Sequence, residues 1–157
     1  MLDSLDRIDR RILNLLQDDA TITNVKLARL LALAPATTLD RVRKLRREGY
    51  ITSTVALVDP DLVGQRTIAF VSVSLRQHGA EKLNAFRTHI EGLPDVLECY
   101  HVSGESDFLL KIVAHDIRAY EDFLLHRLTS IPDIGRIHTS FVLSTVKHDT
   151  KLPISED

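Results

Sequence analysis

Three short helical segments followed by a β-α-β-β-α-β alternation predict an α+β protein in two parts for this 157-residue chain. Three observations lead there. Apolar residues recur at helical spacing from residue 5 to residue 48, with breaks after each stripe. Beyond residue 66, β-branched and apolar runs alternate with further helical stripes. Charge is also divided: residues 1–58 carry ten Lys/Arg against seven Asp/Glu, a net of +3, whereas residues 59–157 carry ten against fifteen, a net of −5. A basic head on an acidic body is the charge pattern of a nucleic-acid reader joined to a domain with another task. The expected division is residues 1–58, a linker at 59–66, and a second domain over 67–157.

In the first part, Leu5, Ile8, Ile12, Leu15 and Leu16 form one helical face, with Asp3 or Ser4 placed to cap its start. Residues 18–21 (DDAT) break it, and Thr23 is the expected N-cap of the next helix. A capping box would want Glu or Gln at position 26, where Lys26 stands, so half the box is present. The second helix turns Leu27, Ala28, Leu30 and Leu31 inward. After Ala32-Leu33-Ala34, Pro35 occupies a first helical position, where its missing N–H is no loss, and Gly49 supplies a left-handed stop.

Two short helices joined by a tight turn, the second of them basic, read as a helix-turn-helix. Leu39, Val42 and Leu45 share the expected inner face, and Thr37, Asp40, Arg41, Lys44 and Arg47 the outer one. Such a helix can lie in the major groove of double-stranded DNA. Thr37 and Thr38, near its start, are candidates for base or phosphate contact, and Arg41 for bidentate readout of guanine. Arg43, Lys44, Arg46 and Arg47 are candidates for phosphate neutralisation, Arg46 lying close enough to the apolar side to snorkel instead. Asp40 is expected to pair with Lys44 at i,i+4. Residues 50–58 (YITSTVALV) are β-branched and are expected to form a small hairpin wing, before DPD at 59–61 and Gly64 punctuate the connection.

The second part opens with a strand at 67–75 (TIAFVSVSL), then a helix at 81–90 with Leu83, Phe86 and Ile90 on one side. Strands at 96–102 and 107–113 flank Ser103-Gly104-Glu105-Ser106, a hairpin connection. A helix over 117–128 and a strand over 134–146 complete a ferredoxin-like order. The tail ISED is expected to fray. The third strand is apolar on both alternations, Leu109 and Val113 on one side and Phe108, Leu110 and Ile112 on the other. A sheet with helices on one face and a second apolar face predicts a homodimer.

Other classes are disfavoured. Apolar and charged contents of 44% and 27% are those of a globular protein. One cysteine, Cys99, excludes an intrachain disulfide and suits a reducing compartment; its place inside a strand reads as buried and inert. No apolar run spans a bilayer and the N-terminal residues lack a hydrophobic signal region, so no membrane association and a cytoplasmic location are expected. The seven histidines, at 78, 89, 101, 115, 126, 138 and 148, show no His-Glu-x-x-His spacing, and no Gly-rich phosphate loop or Gly-x-Ser-x-Gly elbow is present. Neither catalysis, a metal site nor a cofactor is expected. The rival reading is an effector-sensing oligomer that acts through protein partners and carries a weak or vestigial DNA-binding head.

Both parts together carry a resemblance. LDRIDRRILNLLQDDA at 5–20, LARLLALAPAT at 27–37, RVRKLRREGYI at 41–51, LVDPDLVG at 57–64, LPDVLECYHVSGESDFLLKI at 93–112 and TSFVLSTVK at 139–147 follow in the order of one family. Through them the chain resembles the Lrp/AsnC (feast/famine) family of bacterial and archaeal transcriptional regulators. The resemblance implies a helix-turn-helix head, and a ferredoxin-like domain that dimerises, assembles further, often to octamers, and binds small effectors, typically amino acids. It implies that the Ser103, Gly104 and Asp107 loop lies at the effector pocket. There Asp107 would take an α-amino group and loop N–H groups a carboxylate, with Thr139 and Ser140 lining the pocket. The sequence departs from the family pattern at Ser106, often aromatic, at Ala32 and Ala34, commonly Gly and Ser, and at Asp40, commonly basic.

Overall fold

The computed structural model describes residues 5–77 and 79–156. They form two compact units, Met1–Leu57 with Lys147–Asp157, and Val58–Val146, so the last residues group with the helices and not with the sheet.

The first unit holds α1 (Arg7–Asp18), α2 (Asn24–Leu31) and α3 (Pro35–Arg47). Asp6 caps α1, its carboxylate accepting the Asp9 N–H at 2.8 Å; Asp3 and Ser4, the expected caps, lie outside the described residues. Leu5, Ile12, Leu13, Leu27, Leu31 and Leu45 make the core. Thr23 caps α2 as expected, accepting from Lys26 N–H at 3.3 Å. Leu27, Ala28 and Leu31 are buried, but Leu30 is exposed, because it stands roughly 100° round the helix from the centre of that stripe. The turn holds Ala32 in the left-handed region, φ 55° and ψ 41°, and α3 starts on Ala34, whose side chain makes no capping bond. Gly49 (φ +80°) ends α3 in a Schellman arrangement, Gly49 N–H donating to Arg46 O and Tyr50 N–H to Leu45 O.

Two expectations for this unit are corrected. Residues 50–58 contain no strand; YITSTVALV has no Gly, Asn or Pro to make a tight turn, and a lone two-stranded ribbon is marginal in water. The described tail, residues 151–156, does not fray. Gln17 pairs with the Leu152 backbone in both directions, Asn14 donates to Ile154 O at 3.0 Å, Lys151 pairs with Asp18, and Ile154 packs on the helical core. Asn14, Gln17 and Asp18 share one face of α1, and this polar ladder satisfies an extended backbone that composition alone marks as loose.

The second unit is a four-stranded sheet in the order β2-β3-β1-β4, all neighbours antiparallel. Its strands are β1 (Thr67–Leu75), β2 (Val96–His101), β3 (Phe108–Ala114) and β4 (Ile134–Phe141). Helix α4 (Ala80–Glu91) and helix α5 (Ile117–Phe123), which runs on into a π turn at Leu124–Leu128, cover one face. Val71, Val73, Leu110 and Ile112 are buried there beneath Phe86, Tyr120, Phe123 and Leu128, and the Phe86 and Phe108 rings stack at 4.4 Å. The fourth strand ends at Phe141, short of the expected 146. On the opposite face Phe70 and Tyr100 are 38% and 51% exposed, and Glu98 binds both the Tyr100 hydroxyl and Lys111 Nζ at 2.9 Å. Cys99, expected to be buried, lies exposed on the edge strand β2.

Candidate nucleic-acid interface and effector loop

Helix α3 is turned about 30° from the expected phase. Thr38, Val42 and Leu45 point inward, with Thr38 and Leu45 fully buried, while Leu39 is 37% exposed. A threonine can be buried here because its hydroxyl donates to Ala34 O at 3.1 Å, leaving no unpaired polar atom. Thr38 is therefore enclosed and offers nothing to a ligand. Its neighbour Thr37 is exposed, as are Asp40, Arg43, Arg46 and Arg47. Asp40 lies 3.9 Å from Arg43 and does not pair with Lys44 as expected, a contact between exposed groups that contributes little. Asn24 Nδ2 donates to Pro35 O at 2.8 Å and ties the start of α2 to the first turn of α3.

Arg41 also departs from the outer face. Its Nη1 donates to Asp6 at 2.6 Å and to Asp9 at 2.7 Å, and its side chain is 28% exposed. The Asp9 side chain is 2% exposed, with Lys44 Nζ 3.9 Å from its other oxygen. Partial burial opposes ionisation of Asp6, but the Asp9 N–H and Arg41 outweigh it and hold the Asp6 carboxyl below the usual range. Asp6 and then Asp9 raise the Arg41 pKa further above its ordinary value. Asp9 was legible: it stands on the apolar stripe of Leu5, Ile12 and Leu16, and a carboxylate there requires a cation.

In the second unit, the loop between β2 and β3 is closed by Val102 N–H donating to Asp107 O, with Gly104 at φ +123°. Asp107 accepts the Leu75 N–H at 2.7 Å, so its carboxylate fixes the loop on the end of β1. The Glu105 carbonyl receives the Ser74 hydroxyl at 3.2 Å and Arg136 Nη2 at 3.4 Å. Ser103 and Gly104 are exposed. Thr139 and Ser140 are not brought to this loop together. Thr139 pairs in register with buried Val71 and bonds Tyr120 Oη at 2.5 Å, whereas Ser140 lies opposite Phe70 on the other face. The β4 residue beside the loop is Arg136, opposite Ser74, which sequence reasoning missed because only the strand register reveals it. Burial raises the Tyr120 pKa, against the opposing bond from Thr139.

Among the described residues no group of three His, Cys, Asp or Glu side chains could hold a metal, and His101 packs on Phe108 at 5.2 Å; His78 lies outside the described residues. No helix among the described residues is long and apolar enough to cross a membrane.

A three-helix head presenting a cationic helix, joined to a ferredoxin-like sandwich, defines a class of DNA-binding regulator with a ligand-binding domain. Residues 5–52 match the model for a winged helix-turn-helix DNA-binding domain, and residues 68–152 that for an Lrp/AsnC ligand binding domain. The chain belongs to the Lrp/AsnC family of transcriptional regulators. It is 37% identical over 150 residues to the leucine-responsive regulatory protein of Escherichia coli, covering 96% of this chain and 92% of that protein. Among solved structures it resembles a transcriptional regulator of Neisseria meningitidis in complex with L-Met, with a TM-score of 0.90 at 35% identity over 95% of this chain and 96% of that one. It also resembles AsnC of Escherichia coli, with a TM-score of 0.87 at 27% identity, covering 95% of this chain and 99% of that one.

Proposed function

We propose that this regulator reads double-stranded DNA with the outer face of α3, through Thr37, Arg43, Lys44 and Arg47, and that an amino acid bound at the 103–107 loop modulates it. The observation that carries the first half is the exposed cationic stripe on α3, whose inner face is committed to the head. Thr37 stands at the helix start, where base edges are reached, and the three cations neutralise phosphates. Thr38 and Arg41 are left out, being enclosed and ion-paired.

For the effector, Arg136 and the loop N–H groups offer a carboxylate a cation and donors, and Asp107 offers an ammonium group an anion. The L-Met complex of the Neisseria meningitidis regulator supports an α-amino acid as the ligand class. The chain works as a homodimer through the open sheet face, where Phe70 and Tyr100 stand exposed, and assembles further, to an octamer.

The test is a binding titration on DNA upstream of the protein's own gene and on random DNA, repeated with a panel of amino acids. Specific binding that one amino acid shifts supports both halves. Specific binding indifferent to every amino acid reduces the loop to a turn. Absence of salt-dependent binding favours the rival in which the head is vestigial and the oligomer acts through protein partners.

A further inference from the structure

We propose that Arg41 is a positioning residue of the DNA-binding head: it holds α3 on the start of α1 through Asp6 and Asp9 and touches no base itself. The inference rests on α3 being the reading helix. Arg41 sits between buried Thr38 and Leu45, and one nitrogen of its guanidinium meets both carboxylates at 2.6 and 2.7 Å. Asp6 caps α1 with one oxygen and takes Arg41 with the other, so the same residue starts α1 and grips α3. Asp9 is buried; for Arg41 to swing to a base edge it would leave that charge uncompensated, the costly way to break such a pair. Lys44, 3.9 Å from Asp9 and 40% exposed, is a poor replacement. Two charge-assisted bonds to one guanidinium, set in a close-packed seam, fix the rotation of α3. The clamp accounts for the phase of α3, which puts Arg43 and Arg47 outward.

The test is a double-mutant cycle of Arg41→Met and Asp9→Leu in the full chain, read by binding to a specific and a random duplex over a salt series, with thermal unfolding alongside. Arg41→Met should weaken both duplexes alike, on the order of tenfold, with the salt slope unchanged. Adding Asp9→Leu should restore both affinities to within about threefold, since an apolar pair of similar volume can replace a buried ion pair. A folded double variant that does not prefer the specific duplex makes Arg41 a base reader and overturns the proposal. So does a slope flattened by about 0.9 in Arg41→Met, the mark of a phosphate contact. Should these variants not fold, Arg41→Gln with Asp9→Asn decides: the amide pair can keep a hydrogen bond between the helices without a buried charge and without a cation for guanine, so retained base preference supports the clamp and lost preference overturns it. Arg47→Ala with affinity and slope unchanged would instead remove α3 as the reading surface, and with it this role for Arg41.

Discussion

The sheet unit and the helical unit are held by different chemistry. Strands β1 and β3 bury Val71, Val73, Leu110 and Ile112 under aromatic and leucine side chains from two helices, a core of apolar side chains joined by Tyr120, whose hydroxyl bonds Thr139. The head has a smaller apolar core around Ile12, Leu27 and Leu45 and supplements it with directed contacts: the Asp6 and Asp9 clamp on Arg41, the Asn24 tie to Pro35, and the tail laid along α1. Apolar packing is non-directional and gives stability; charge-assisted bonds set angles. A helix that reads DNA, as proposed for α3, must be aimed.

The largest effects come from breaking each core. Leu110→Ala should cost the sheet unit about 2–5 kcal/mol by the cavity it leaves, and Leu45→Ala the head a similar amount. Unfolding followed separately in each unit should show each loss confined to its own unit. Removing residues 149–157 should destabilise the head by about 1–3 kcal/mol, as the Gln17–Leu152 and Asn14–Ile154 bonds and the Ile154 packing disappear. An unchanged head transition would show that the tail adds nothing.

Two substitutions should move the head the other way. Ala32→Gly relieves a left-handed alanine, for a gain of about 1 kcal/mol in thermal unfolding. Ala34→Ser adds the missing cap at the start of α3, for a further ~1 kcal/mol. The smallest effect is on pH. Asp6 is depressed in the folded head, so its contribution is present above the unfolded carboxyl pKa, about 4, and is lost as pH falls through the lower folded value. Acid titration of head helicity should be shallower in Asp6→Asn.

Periodicity made all three head helices and all four strands legible, and the glycine at 49 marked the end of α3, because these depend on residues close in the chain. What escaped depends on distant partners. Thr38 and Arg41 are polar yet face inward, and the reasons lie in the Ala34 carbonyl and in carboxylates on α1. Arg136 became a neighbour of the 103–107 loop only through the β1–β4 register, and the same register separates Thr139 from Ser140. The tail looked loose because its partners are side chains of α1.

The most direct test of DNA reading by α3 is the salt dependence of specific DNA binding, compared between the wild-type chain and Arg43→Ala/Arg47→Ala. If the outer face of α3 lies against the phosphates, the slope of log affinity on log salt should fall by roughly 1.8, about 0.9 for each phosphate no longer neutralised, with base preference kept. An unchanged slope and affinity would contradict this role for α3 and place the DNA elsewhere on the protein.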